Sequence, residues 1–113
     1  MQKISSFSLA DVVFDPQAIV AALDRTCRAR AAAEPFHISA VCQAGEQVCF
    51  ILRKTPPGAP AEAIVIVPVT DSTPAGFPGE LFDRWSHGFN ALGVIDTGQG
   101  NWLAVYSHPR TMA

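Results

Sequence analysis

Charge is the scarcest feature of this sequence. Only 16% of its 113 residues are Asp, Glu, Lys or Arg, while 49% are hydrophobic. Eight basic residues stand against ten acidic ones, for a formal net charge of -2. Nucleic-acid binding takes much of its affinity from Lys and Arg on phosphates. This balance supplies no general footprint for it, and no nucleic-acid partner is expected. The one local basic cluster is Arg25, Arg28 and Arg30, joined by Arg53 and Lys54. Arg28 and Arg30 fall in the last turn of an expected helix, where cations complement the helix dipole.

Cysteine is nearly as scarce. Cys27, Cys42 and Cys49 make an odd count with no CxxC pair. A disulfide framework needs an even set, and a zinc site needs closely spaced ligands. Neither is expected, and a reducing cytoplasm fits best. Long apolar runs are missing too. The longest, Ala63 to Val69, is far short of the roughly 20 residues of a membrane helix. The first eight residues hold no apolar h-region, so no secretion signal is expected. No HxH, HExxH or His/Cys pair suggests a metal, and no glycine pattern suggests a phosphate-bearing cofactor.

The residues present suit a single domain over 1–113, long enough to bury a core. Ile4 to Leu9, extended by Val12-Val13-Phe14, reads as a strand with an irregularity near Asp11. Asp15-Pro16 then opens a helix, with Asp as N-cap and Pro at the first helical position. Ile19, Val20, Leu23 and Cys27 give it one apolar stripe. The helix runs through Ala31-Ala32-Ala33 to Glu34. Phe36–Cys42 and Gln47–Lys54 read as a hairpin about Gly45. A Pro-rich connector, 55–61, follows. Ala63–Val69 reads as a strand buried on both faces. A Ser/Thr/Pro/Gly loop leads to a short helix, Pro78–His87, capped by Gly88. Asn90–Ile95 and Asn101–Ser107 form a second hairpin about Gly98.

The two hairpins overlay. Phe36, Val41, Gly45 and Pro56 lie over Phe89, Val94, Gly98 and Pro109. Each hairpin follows a helix, and each helix follows a strand. The reading is an α+β fold of two β-α-β-β pseudo-repeats, 1–56 and 62–109. They would share one mostly antiparallel six-stranded sheet, with two helices on one face. The stretches Phe36–Pro56 and Phe89–Pro109 resemble small bacterial β-α-β-β domains of unknown function. That resemblance implies a fold and no activity. In the overlay Cys42 falls on Ile95 and Cys49 on Trp102, which marks both thiols as packing residues. A two-residue turn at Gly45-Glu46 would also set them opposite each other across the hairpin, which leaves a cross-strand disulfide open as the lesser alternative.

Candidate chemistry is sparse. His37, His87 and His108 are the general acid–base candidates, because histidine as a residue type is suited to proton transfer near neutral pH. His87 stands one turn after Asp83, and Asp71 falls in the long loop before the helix. A cofactor-independent isomerase or cyclase would use His87 or His108 with Asp71 or Asp96. Trp102 and Tyr106 share a strand face with Ala104 between them. With Trp85 they are candidates to stack a small apolar ligand. No nucleophile, base and oxyanion donor assemble from spacing. The leading expectation is therefore a non-enzymatic ligand-binding or protein-interaction module. A small enzyme with a pocket between sheet and helices is the alternative, as is a regulator pairing through a sheet edge. Two helices cover only one face of a six-stranded sheet. A homodimer through the other face is expected, with no membrane partner.

Overall fold

The computed structural model describes residues 2–28, 36–56, 58, 62–70 and 73–109. In chain order the elements are β1 (Gln2–Ser8), α1 (Leu9–Phe14), α2 (Pro16–Arg28), β2 (Phe36–Ala44), β3 (Gln47–Lys54), β4 (Glu62–Pro68), α3 (Phe77–Ser86), β5 (Asn90–Asp96) and β6 (Trp102–Pro109). The α+β class holds. The single six-stranded sheet does not. The strands divide into two antiparallel three-stranded sheets, ordered β1-β3-β2 and β4-β6-β5. No helix among the described residues is long and apolar enough to cross a membrane.

The first departure from the sequence reading lies at residues 9–14. Leu9–Phe14 is a short helix, not a continuation of the strand. Ser8 ends β1 and caps α1, its hydroxyl accepting from the Asp11 amide at 3.2 Å. Leu9 and Val12, three apart, then both enter the core. Helical spacing and a side-chain cap together outweigh the β-branched pair Val12-Val13. At Asp15 the expectation holds: its carboxylate accepts from the Ala18 amide at 3.2 Å, ahead of α2. The part of this helix expected beyond Arg28 lies outside the described residues.

The second departure is β4. Its apolar run suggested a strand buried on both faces, yet β4 is the edge of its sheet and only Ile66 is buried. Pro68 lacks an amide donor, which suits an edge. The doubly buried strand is the central one, β6, where Leu103 through Ser107 are all buried.

The two sheets share their connectivity and more. In each, the middle strand of the chain unit lies at one edge and its last strand lies in the centre. Each carries a register irregularity, between Ile38 and Ala40 in β2 and between Ala91 and Gly93 in β5. These sites are 53 residues apart, the offset of Phe36 and Phe89. The overlay is not gapless, however. Gly45-Glu46 alone separates the paired Ala44 and Gln47. The second turn sets Gly98-Gln99-Gly100 between Thr97 and Asn101, whose amide and carbonyl join at 3.2 Å. One extra residue shifts the matching of β3 to β6, so Cys49 corresponds to Leu103 rather than Trp102.

The sheets meet where β2 crosses β5. A Cβ on Gly93 would stand 3.0 Å from Val41 Cβ and 3.2 Å from the Val41 carbonyl oxygen. Nearby, the Gln43 side-chain amide acts as a strand partner. Its Nε2 donates to the Asp96 carbonyl at 2.8 Å, and its Oε1 accepts from the Asp96 amide at 2.9 Å. One core joins both halves: Leu9, Val12, Ile19 and Leu23 of α1 and α2 with Val48, Phe50 and Leu52 of β3 and Ile66, Ile95, Leu103 and Val105 of the second sheet. The helices do not share one face as expected. α1 and α2 join this common core, while α3 covers the Trp102–Ala104–Tyr106 face of β6.

Candidate functional site

The residues singled out by sequence are scattered. His87 caps the end of α3 and is exposed. Its Nδ1 donates to the Asp83 carbonyl at 2.8 Å, an intrahelical contact that uses the ring to finish the helix. His108 is half-buried and stacks on Phe89, with centroids 4.6 Å apart. Asp96 ends β5 at the opposite end of the sheet. Its register partner is Trp102, six residues along β6 from His108. At the strand rise of ~3.3 Å per residue, roughly 20 Å separates the two. Asp96 instead supports the turn, its Oδ1 accepting from the Gly98 amide at 2.9 Å. Asp71 lies outside the described residues. The acid–base pair of His108 with Asp96 is therefore not assembled.

Trp102 and Tyr106 do share a face with Ala104, as their alternation required. That face is closed. Phe77 meets Trp102 edge-on at 5.3 Å, Phe89 meets Tyr106 edge-on at 6.1 Å, and the Arg84 guanidinium lies 5.6 Å from the Tyr106 ring. Tyr106 is 0% exposed. Trp85 sits elsewhere, 62% exposed, beside Phe82 on the outer side of α3. The three aromatics do not form one shelf.

The Tyr106 hydroxyl is buried with no hydrogen-bond partner among the described residues. Burial pushes this phenol above its ordinary value of 10. The Glu80 carboxylate adds to the rise and Arg84 offsets part of it. Glu80 has a structural task as well. It accepts from the Thr70 amide at 3.0 Å and from the Thr70 hydroxyl at 2.6 Å, tying the loop after β4 to α3.

A concave site exists where local sequence signals are few. A cleft of about 390 Å³ opens between α2, the start of β2 and the start of β4. Its walls are Val20, Ala21 and Cys27 of α2, Phe36 and Ile38 of β2, and Ala63 and Ile64 of β4. Gln17, Asp24, His37 and Glu62 supply the polar groups. The lining thus carries two carboxylates, one from the helix and one from the strand. His37 is half-buried, with the Thr55 hydroxyl 3.4 Å from its Nδ1. Lys3 reaches toward the same corner, its Nζ 5.5 Å from the Phe36 ring.

Of these residues, sequence reasoning had named His37 and had placed Val20 and Cys27 on an apolar stripe. Gln17, Val20, Ala21, Asp24 and Cys27 recur at helical spacing, a second stripe beside the core stripe of Ile19 and Leu23. That stripe was readable. Its partner was not, because nothing local shows that β4, some forty residues further on, returns to lie against α2.

No group of His, Cys, Asp and Glu among the described residues is arranged to hold a metal ion. In comparisons with known proteins, no family model, no curated protein and no solved structure matches this chain.

Proposed function

We infer that the chain is a non-enzymatic binding module, and that the α2/β2/β4 cleft holds a small, mainly apolar molecule bearing a cationic or hydrogen-donating head. One observation carries the reading: an apolar concavity of about 390 Å³ with a few convergent polar groups. Ligand sites have this size and this mixture. Val20, Phe36, Ile38 and Ile64 would cover the apolar body. Asp24 and Glu62, both acceptors when ionised, would orient the head. His37 supplies a further polar contact. The enzyme alternative lacks comparable support: His108 and Asp96 lie at opposite ends of their sheet, and Asp71 lies outside the described residues.

The test uses dansylcadaverine, an aromatic body on a cationic tail. Saturable fluorescence enhancement with one site per chain is expected. Ala21→Trp, which places an indole on an exposed position of the cleft wall, should abolish it while circular dichroism stays unchanged. Absence of saturable binding, or binding that survives Ala21→Trp, overturns the assignment.

A further inference from the structure

The outer side of the first sheet carries a pair of thiols that the fold places face to face. Cys42 of β2 and Cys49 of β3 are direct register partners. Both are free, Cys42 exposed and Cys49 half-buried. The packing role read from the sequence therefore fails for Cys42, whose counterpart Ile95 is fully buried. The pair belongs to a two-residue hairpin. Gly45 has φ +59 at the first turn position, and no non-glycine residue among the described residues, Glu46 included, has positive φ. This is the arrangement of a type II′ turn. Ala44 and Gln47 flank the turn as a hydrogen-bonded pair, so Cys42 and Cys49, two steps further on, are one as well. Such a pair holds its Cα atoms ~5.5 Å apart, inside the ~4.4–6.8 Å span that a disulfide accepts. The Cβ atoms of a hydrogen-bonded pair stand at ~5.5 Å, wider than the ~3.5–4.5 Å of a relaxed disulfide, so the bond would be strained and readily reduced. The Ser6 hydroxyl accepts from Cys49 Sγ at 3.8 Å, leaving Cys42 the outermost of the two sulfurs.

We propose that Cys42 and Cys49 are a reversible thiol–disulfide site, opened and closed by exchange with a low-molecular-weight disulfide such as oxidised glutathione. The exposed Cys42 thiolate attacks one sulfur of the reagent. A mixed disulfide forms and one glutathione thiolate leaves. Cys49 then gives up its proton to water and attacks the Cys42 sulfur, expelling the second glutathione thiolate. Two protein thiols are oxidised, one reagent disulfide is reduced, and two glutathione thiols take up the two protons released. The second step is intramolecular between adjacent strands and outruns any competitor from solution. Exposure of the bond keeps it accessible to reduction, as labile disulfides are.

The test incubates the whole chain, at sub-micromolar concentration, with oxidised glutathione and reads intact mass. The expected product has lost two hydrogens and carries no adduct, with peptide mapping joining Cys42 to Cys49. Cys27→Ser should behave like the native chain. Cys49→Ser should instead accumulate a stable glutathione adduct on Cys42, because the resolving thiol is gone. Reduced glutathione in excess should restore the free thiols. Stable adducts on the native chain, a bond involving Cys27, a disulfide between two chains, or no reaction would each overturn the proposal.

Discussion

The two sheets have one connectivity and opposite surroundings. In the first sheet the face of Val48, Phe50 and Leu52 is buried, while the face of Ile4, Cys42, Cys49 and Ile51 is open or half-open. The corresponding residues of the second sheet, by strand register, are Ile66, Ile95, Leu103 and Val105, and all four lie in the core. The first unit therefore turns to solvent the face that the second unit buries. Residue choice follows. Where the second sheet has Ile95 opposite Leu103, the first has two thiols. The two sheets match in connectivity and in the place of their irregularities, and Gln43 bonds the backbone of Asp96, 53 positions on, yet they meet through non-corresponding faces.

The sharpest way to break this comparison is to truncate the same position in both sheets. Ile66 is 2% exposed and Ile4 is 65% exposed. Ile66→Ala leaves a cavity in the common core and should cost about 2–5 kcal/mol. Ile4→Ala removes a side chain that is mostly in water and should change stability by less than about 0.5 kcal/mol. Urea unfolding of the two variants measures the difference. Equal losses would mean that the outer face of the first sheet is covered in solution. That face is also where the homodimer expected from the sequence has room to form, and light scattering on the same samples reports it.

Much of the secondary structure was legible because its signals are local. Asp15-Pro16 announced a helix start, Gly88 a helix end and Gly45 a turn, and each does that work in the fold. The failures share a physical cause. α1 was missed because Val12 and Val13 favour strands, and only the Ser8 cap with the burial of Leu9 and Val12 decides for a helix. The edge position of β4 was illegible because a run such as Ala63–Val67 is equally apolar whether it is flanked by one strand or two. Division into two sheets depends on a crossing at Gly93, a contact set by packing over half the chain. The cleft was hidden for the same reason: α2 displays its stripe, but the strand that completes the site is distant in sequence.

The crossing itself gives the next effect in size. Gly93→Ala sets a methyl group against the Val41 side chain and carbonyl at 3.0 and 3.2 Å. Val41 must give by a few tenths of an ångström, and overpacking of this kind costs about 1–3 kcal/mol. Its counterpart Ala40 already carries a methyl group. Ala40→Gly should cost no more than about 1 kcal/mol, chiefly through chain entropy. Thermal melts of both variants compare them, and a harmless Gly93→Ala would show that the sheets do not cross so closely. A smaller loss, about 1 kcal/mol, is expected for Gln43→Ala. It removes both bonds to the Asp96 backbone at an exposed place where water can replace them. Hydrogen exchange at the Asp96 amide should accelerate with it, whereas amides at the centre of β6 should not.

The smallest effect tests the face closed by α3, where Tyr106 stands at the position that Leu52 fills in the first sheet. Leucine brings no polar atom to that position; Tyr106 brings a hydroxyl with no partner among the described residues. Tyr106→Phe should therefore stabilise the chain at neutral pH by up to about 1 kcal/mol. The pH dependence is more telling. Burial, helped by Glu80, holds the phenol above its ordinary value of 10. Once the pH exceeds that ordinary value, the unfolded chain has released this proton and the folded chain still keeps it. Stability then falls as pH rises until the folded phenol also ionises, and below pH 10 it is fully present. The native chain should lose stability across this alkaline window faster than Tyr106→Phe. Phenolate absorbance reports the ionisation directly, because the chain has a single tyrosine. Ionisation at the ordinary value in the folded chain would mean that α3 does not seal this face, and the contrast between the two sheets would narrow.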